Sequence, residues 1–418
     1  MDTKKLREDG LKIISEAIQA VLPDKSVKKK LRELKLEGNL YLLAIGKASW
    51  RMAKAVVEEL GKRIKKGVVI TKYGHSFGDI PNCEIYECGH PIPDENTLFA
   101  SRKALKMVES LTYSDTLLFL VSGGGSTLFE IPYDGITLEE LKTINNLLLI
   151  SGASISEMNV VRKKLSKVKG GKLALIAHPA KVVTLALSDV LNDDFSMIAS
   201  GPTYPDLSTP EEALKILDRY GIIIPKHITN ILKSTSHPSE LKNVEYHIVG
   251  SLRIACERAE RTARDLGYNS SIISTFVDCE AREAGRFLGS IAKELRRYGR
   301  PLSPPCVIVA GGETVVRVKG KGKGGRNQEV ALSAAITIEG LENVVILSFG
   351  TDGTDGPTDA AGGIVDGQTA QRLKALNMDP MAYLNDNDSY TALKKVNALL
   401  ITGPTGTNVN DLMLVICG

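Results

Sequence analysis

Cysteine is scarce and unpatterned in this chain: the six residues Cys83, Cys88, Cys256, Cys279, Cys306 and Cys417 form no C-x-x-C pair. That spacing argues against a zinc site and against a disulfide framework, and fits reduced, mostly buried thiols in a cytoplasmic protein. Aromatic residues make up only 5%. Charge of one sign is also lacking, since 53 basic and 49 acidic residues leave a formal net charge of +4. Nucleic-acid binders combine a clustered basic excess with stacking aromatics, so no nucleic-acid partner is expected. The short basic runs Lys28-Lys29-Lys30 and Lys163-Lys164 are expected to be solvated helix faces. No apolar run approaches the length needed to span a bilayer, and MDTKKLREDG at the N-terminus lacks the apolar core of a signal peptide. Neither a membrane partner nor a solenoid repeat is expected. A Walker A sequence and the protein-kinase signature set are both missing.

What is present is ordinary globular composition, 43% hydrophobic and 24% charged, in a chain of 418 residues that is long for one core. Lys4 to Leu22 has helical periodicity that Pro23 stops. The run Leu40 to Ile45 then ends in Gly46-Lys47, and an Ala/Met/Val-rich helical stretch follows. Strand, glycine turn, helix is the building unit of α/β folds. Further strands are expected at Gly67 to Ile70, Leu117 to Val121 and Lys181 to Leu187. Later ones fall at Tyr246 to Val249, Val307 to Ala310, Thr314 to Val318, Val344 to Phe349, Leu399 to Thr402 and Leu412 to Ile416. Runs apolar on both faces suit buried parallel strands. The polar stretch around Ser236-His237-Pro238 places a boundary near residues 235–243. The reading is two α/β domains with largely parallel sheets, over residues 1–240 and 241–418, the first Rossmann-like.

Five segments concentrate glycine and charge at strand ends, where open α/β sheets bind ligands. Lys47 closes the first strand as a compact positive charge, although taken alone a surface lysine explains it equally well. Ser122-Gly123-Gly124-Gly125-Ser126 lets backbone N–H groups approach an anion, with a following helix to add its dipole. Asp189, Asp193 and Asp194 follow an apolar strand, and capping accounts for one of them but not for all three. Asp189, nearest the strand end, is the candidate base or Mg²⁺ ligand.

The segment GKGKGGRNQE (320–329) formally fits G-x-G-x-x-G, a weak match on its own. Lys321, Lys323 and Arg326 make it more basic than a dinucleotide turn and better suited to a polyphosphate. Lys321, Lys323, Gly324 and Gly325 are therefore candidate nucleotide contacts, with Arg326 gripping phosphate or carboxylate from the helix start and Asn327 beside it. A mobile basic turn explains the segment about as well. GTDGTDGPTD (350–359) offers Asp352 and Asp355 to Mg²⁺ or to a hydroxyl, against the alternative of an Asx-turn loop. His90, in GHPIPD, and Asn387, before a helix, read as turn and helix-start residues.

Taken together, these stretches resemble the glycerate 2-kinase family, whose C-terminal part is the MOFRL domain. The matching residues are GKAS (46–49), GHPIPD (89–94), SGGGS (122–126), NVVRKKLSKVKGGKLA (159–174) and LSDVLNDDFSMIASGPT (187–203). They continue with GGETVVRVKGKGKGGRNQE (311–329), GTDGTDGPTDAAGGIVD (350–366), NDSY (387–390) and TGPTGTNVND (402–411). Thr127 and Leu191-Asn192 depart from the family pattern without touching the chemistry. The resemblance implies ATP- and Mg²⁺-dependent phosphorylation of D-glycerate to 2-phosphoglycerate, with the active site in a cleft between the domains. It puts functional weight on Lys47 and Arg326. Some relatives are labelled hydroxypyruvate reductases, which makes a nicotinamide-dependent reductase the alternative. The oligomeric state stays open, a homodimer among the options.

Overall fold

The computed structural model describes residues 2–235, 238 and 240–418; part of the boundary expected near 235–243 lies outside the described residues. The chain divides into two compact α/β units, residues 23–249 and residues 1–22 with 250–418.

In the 23–249 unit, strands β1 (Asn39–Ile45), β2 (Ile64–Lys72), β3 (Cys83–Cys88), β4 (Asp115–Val121), β5 (Lys181–Leu187) and β6 (Val244–Gly250) form a sheet ordered β3-β2-β1-β4-β5-β6. The pairs β1/β2, β1/β4, β2/β3 and β4/β5 are parallel. β4 is buried along its whole length, and β1 and β5 at every residue but one or two near their N-terminal ends, because helices cover both faces. Leu43, Leu117, Phe119 and Val182 sit in its core with Ala100, Ala104 and Met107 of the helix Glu95–Glu109. A second apolar cluster joins the helices Leu138–Ile150, Ile155–Leu165, Pro210–Arg219 and Lys226–Ser234.

In the other unit, β7 (Asn269–Val277), β8 (Cys306–Gly312), β9 (Val344–Gly350), β10 (Gly362–Asp366), β11 (Leu399–Leu400) and β12 (Asp411–Cys417) are ordered β11-β10-β9-β12-β8-β7. Only β7/β8 is parallel; β8/β12, β12/β9, β9/β10 and β10/β11 are antiparallel. The expectation of largely parallel sheets therefore holds for the first unit alone. Every residue of β8, β9 and β12 is buried. Continuous apolar runs report helices on both faces, and strand direction does not follow from them.

Two expected boundaries shift as well. Tyr246 to Val249, read as opening the second domain, lies in the edge strand β6 of the first sheet. The N-terminal helix Thr3–Ala20 packs on the helix Leu252–Asp265 and on β9, in the second unit. Thr314 to Val318 forms no strand, making one isolated bridge between Val315 and Glu280. Backbone pairing there is confined to Val315, which bonds Cys279 and Ala281, so composition alone gives no ladder.

Candidate active site

Within the 23–249 unit the carboxyl ends of β1, β4 and β5 bring Lys47, the glycine run and Asp189 together. Ser122 N–H donates to Ile45 O at 3.0 Å, and Lys47 N–H to Gly123 O at 2.9 Å, so the two strand-end turns are stapled through their backbones. Gly46 has φ +111, and a Cβ there would collide with the Ser122 carbonyl. Only glycine lets the turns approach this closely.

Three side chains converge on Gly123-Gly124. A Cβ at Gly123 would collide with Asp189 Oδ2, and one at Gly124 (φ +83) would lie 3.0 Å from His90 Nε2 and 3.3 Å from Lys47 Cε. His90, which the sequence reads as a turn residue, also lies against this floor. Burial first, and then Lys47, Lys72 and His75, push its pKa down to about 4, so its imidazole is neutral near pH 7. His75 Nδ1 lies 3.2 Å from Lys47 O. The only sequence signal for His90 is its place in GHPIPD.

The outer serines of the run have other duties. Ser122 Oγ accepts from Ala48 N–H at 3.1 Å, and Ser126 Oγ lies 3.0 Å from Ser200 Oγ, which donates to Asn159 Oδ1 at 2.7 Å. Both brace the loop. The following helix, Gly125–Leu128, is a single turn and contributes little dipole. Of the three acids after β5, Asp194 accepts from Ser196 N–H at 2.8 Å as a turn cap, and Asp189 is the one against the glycine floor.

The basic run 159–174 is also not the solvated face expected of Lys163-Lys164. Lys163, Lys164, Lys169 and Lys172 are all buried. Lys164 pairs with Asp206 at 2.8 Å and Lys169 with Glu130 at 2.8 Å. Lys172 donates to Lys163 O and stacks over Tyr133, and burial pushes its pKa down to about 7.

In the 250–418 unit, Arg326 opens the helix Arg326–Thr337. Its Nη1 donates to Glu313 Oε1 at 3.0 Å and its Nη2 to Asp411 Oδ1 at 3.1 Å, with Nε 2.6 Å from Asp411 Oδ2. Asp411 at the start of β12 was not a candidate. Burial pushes its carboxyl up to about 6 in spite of Arg326. The forked grip fixes the guanidinium plane and leaves the group part-exposed.

Asp355 lies across the start of that helix rather than in a metal shell. Its Oδ1 accepts from Asn327 N–H (3.1 Å) and its Oδ2 from Gln328 N–H and Nε2–H (both 2.9 Å). Asn327, a candidate substrate contact, is buried, and its side chain is tied to Ser348 (2.6 Å) and Asp355. Asp352 uses Oδ1 on Thr354 N–H at 2.8 Å and stays part-exposed.

The glycine segment 320–325 is held by the loop 386–388. Lys319 and Gly320 N–H donate to Asn387 Oδ1, Lys321 N–H to Asp386 Oδ1, and Lys323 N–H to Asp388 Oδ1. These amides are therefore committed, and no strand precedes them, which removes the dinucleotide-turn reading. The Lys321 and Lys323 side chains are exposed, with Lys323 Nζ 4.6 Å above the Tyr390 ring. Asn387 is buried at φ +55 and also donates to Glu329 Oε2 at 3.0 Å. It clamps the segment instead of starting a helix. Beside it lies a cavity of 710 Å³ lined by Thr314, Val315, Val318, Arg326, Asp352 and Asp411 among others.

Among the described residues no group of three or more His, Cys, Asp and Glu side chains is placed to hold a metal. Mg²⁺ in phosphoryl-transfer sites needs only one or two carboxylates besides phosphate oxygens. Asp189 and Asp352 fit that demand; Asp355, with both oxygens committed to the helix, does not.

Two family models match the chain, one after the other. Residues 9–233 match a model described as a domain of unknown function (DUF4147), and residues 306–411 match the MOFRL family. The D-glycerate 2-kinase of Thermotoga maritima is 57% identical, over 99% of each chain. The glycerate 2-kinase of Pyrococcus horikoshii is 44% identical, over 98% of this chain and 97% of its own. A crystal structure of the Thermotoga maritima glycerate kinase superposes with a TM-score of 0.97 at 56% identity, covering 99% of this chain and 100% of that one. The fold is thus that of a two-unit α/β protein with a MOFRL domain. The chain belongs to the glycerate 2-kinase family.

Proposed function

We propose that this protein is an ATP-dependent kinase that phosphorylates D-glycerate to 2-phosphoglycerate. The observation that carries the reading is the convergence of Lys47, His90 and Asp189 on the Gly123-Gly124 floor. There a cation, a neutral imidazole and a carboxylate lie against one stretch of glycine backbone. Phosphoryl transfer demands positioning and charge neutralisation more than covalent chemistry, and these groups supply both.

Lys47, in the 23–249 unit, balances charge on the migrating phosphoryl group, and Arg326, in the 250–418 unit, is the second cation to which the family resemblance gives weight. Asp189 accepts the hydrogen bond of the attacking hydroxyl and takes its proton as the O–P bond forms and the bond to ADP breaks. His90, neutral near pH 7, accepts or donates one further hydrogen bond without adding charge. Mg²⁺, when bound, would neutralise phosphate oxygens, and Asp352 is the carboxylate left for it once Asp189 serves as the base. Among the described residues no helix is long and apolar enough to cross a membrane. The reading places the enzyme in the cytoplasm with a hydroxy acid and a nucleotide as its ligands.

ADP release in the presence of D-glycerate, with phosphorus NMR of the product, tests the proposal. NAD(P)H oxidation with hydroxypyruvate and no ADP release would replace it with a reductase.

A further inference from the structure

We infer that the cavity of the 250–418 unit receives the purine base and ribose of the phosphoryl donor. The identity of the donor rests on the kinase reading; the shape and chemistry of the pocket do not. At 710 Å³ it lies within the range of about 300–1,000 Å³ typical of small-molecule sites.

One wall is aliphatic. Val315 and Val318 line the cavity and remain 54% and 76% exposed, on a segment without a strand ladder. Exposed β-branched residues facing a concavity offer flat apolar contact to a ring. Thr314, on the same wall, carries a buried Oγ1 without a hydrogen-bond partner. A buried hydroxyl left unsatisfied costs about 1–3 kcal/mol, and the polar edge of a base would satisfy it.

The rest of the lining argues against bare phosphate. Asp352, Asp355, Asp411 and Glu329 contribute carboxylates against the single cation Arg326, which pairs with Asp411. Most amides of the adjacent glycine segment are committed to residues 386–388. A neutral, flat, hydrogen-bonding group matches these surfaces, and the exposed amide of Asn408 in the lining suits a ribose diol.

Photolabelling with 8-azido-ATP and Mg²⁺, followed by peptide mapping, tests the assignment. The expected result is label within residues 313–326 or 351–359 that excess ATP suppresses and glycerate does not. Label confined to 122–126 or 188–203, or no protectable label, overturns it. As a second test, Val318→Trp should raise the KM for ATP at least tenfold while the KM for glycerate stays within twofold; an unchanged KM for ATP also overturns it. ADP release measured on the same preparation reports on the kinase reading alone. Label at 313–326 without turnover would support the pocket and reject the kinase.

Discussion

Replacing Asp355 separates a structural carboxylate from a metal ligand. Its two oxygens accept two backbone N–H groups of the first helical turn and the Gln328 side chain, all buried. Asp355→Ala strands those donors. Each buried unsatisfied donor costs about 1–3 kcal/mol and a lost N-cap about 0.5–2 kcal/mol. Burial already raises the carboxyl's pKa, so part of its desolvation cost is recovered on removal. The net expectation is a loss of about 3–4 kcal/mol for Asp355→Ala. Asp355→Asn keeps one acceptor and should lose about 1–2 kcal/mol.

Urea denaturation reads this directly. Trp50, the only tryptophan, lies in the 23–249 unit, so its fluorescence follows that unit while circular dichroism follows both. With a slope of about 2 kcal/mol/M, Asp355→Ala should lower the dichroism midpoint of the 250–418 unit by about 1.5–2 M and spare the fluorescence midpoint. Asp355→Asn should leave the Mg²⁺ dependence of turnover unchanged. A normal midpoint combined with a tenfold or larger shift in half-saturating Mg²⁺ would refute the capping role and restore the metal role.

Lys47→Ala and Arg326→Ala should each lower turnover by about 10²-fold or more if both meet developing charge, checked by steady-state ADP release; wild-type turnover in either variant rejects its role. His90→Gln should lower kcat/KM about tenfold, the equivalent of one hydrogen bond of about 1–1.5 kcal/mol, without a new ionisation between pH 6 and 8 in the pH profile. Lys172 is predicted to shape the pH dependence of stability. The unfolded lysine keeps its proton to about 10.5 while the buried one releases it near 7, so stability rises with pH between these values, by up to about 1.4 kcal/mol per unit. Trp50 fluorescence midpoints at pH 7, 8 and 9 should lose that slope in Lys172→Met; parallel curves would refute it.

Four strands of the first sheet, β1, β2, β4 and β5, were legible because they are apolar, of strand length and followed by turns or helices, whereas the more polar β3 was not and β6 reads as part of the other domain. In the second sheet β8, β9 and β12 were legible as strands but not as pairings, since doubly covered antiparallel strands carry the same unbroken apolar signature, and β10 was not legible. Helix capping is local: Asp94 and Thr209 each form a capping box with the residue three positions on. The burial of Lys164 was not legible: its carboxylate partner, Asp206, lies far along the chain, and a lysine run by itself resembles a solvated face.

The glycine runs show where sequence reasoning loses its hold. A cluster of glycines announces that something approaches the backbone closely, and leaves its identity open. At Gly123 and Gly124 the approaching groups are Asp189, His90 and Lys47, which are chemistry-bearing side chains. At Gly320 and Gly322 they are the backbone and side chains of Asp386 and Asp388, from the unit's own fold. The two segments are almost indistinguishable as strings, both glycine-rich and both read as anion cradles. They differ only in whether the partner that fills the missing Cβ space is a reactive group or a structural one. A substitution separates these cases: alanine at 123 displaces Asp189 and should remove activity at near-native stability, whereas alanine at 322 displaces backbone and should lower stability first. The reverse ordering, read by urea midpoint against turnover, would mean that the cradle lies in the second segment after all.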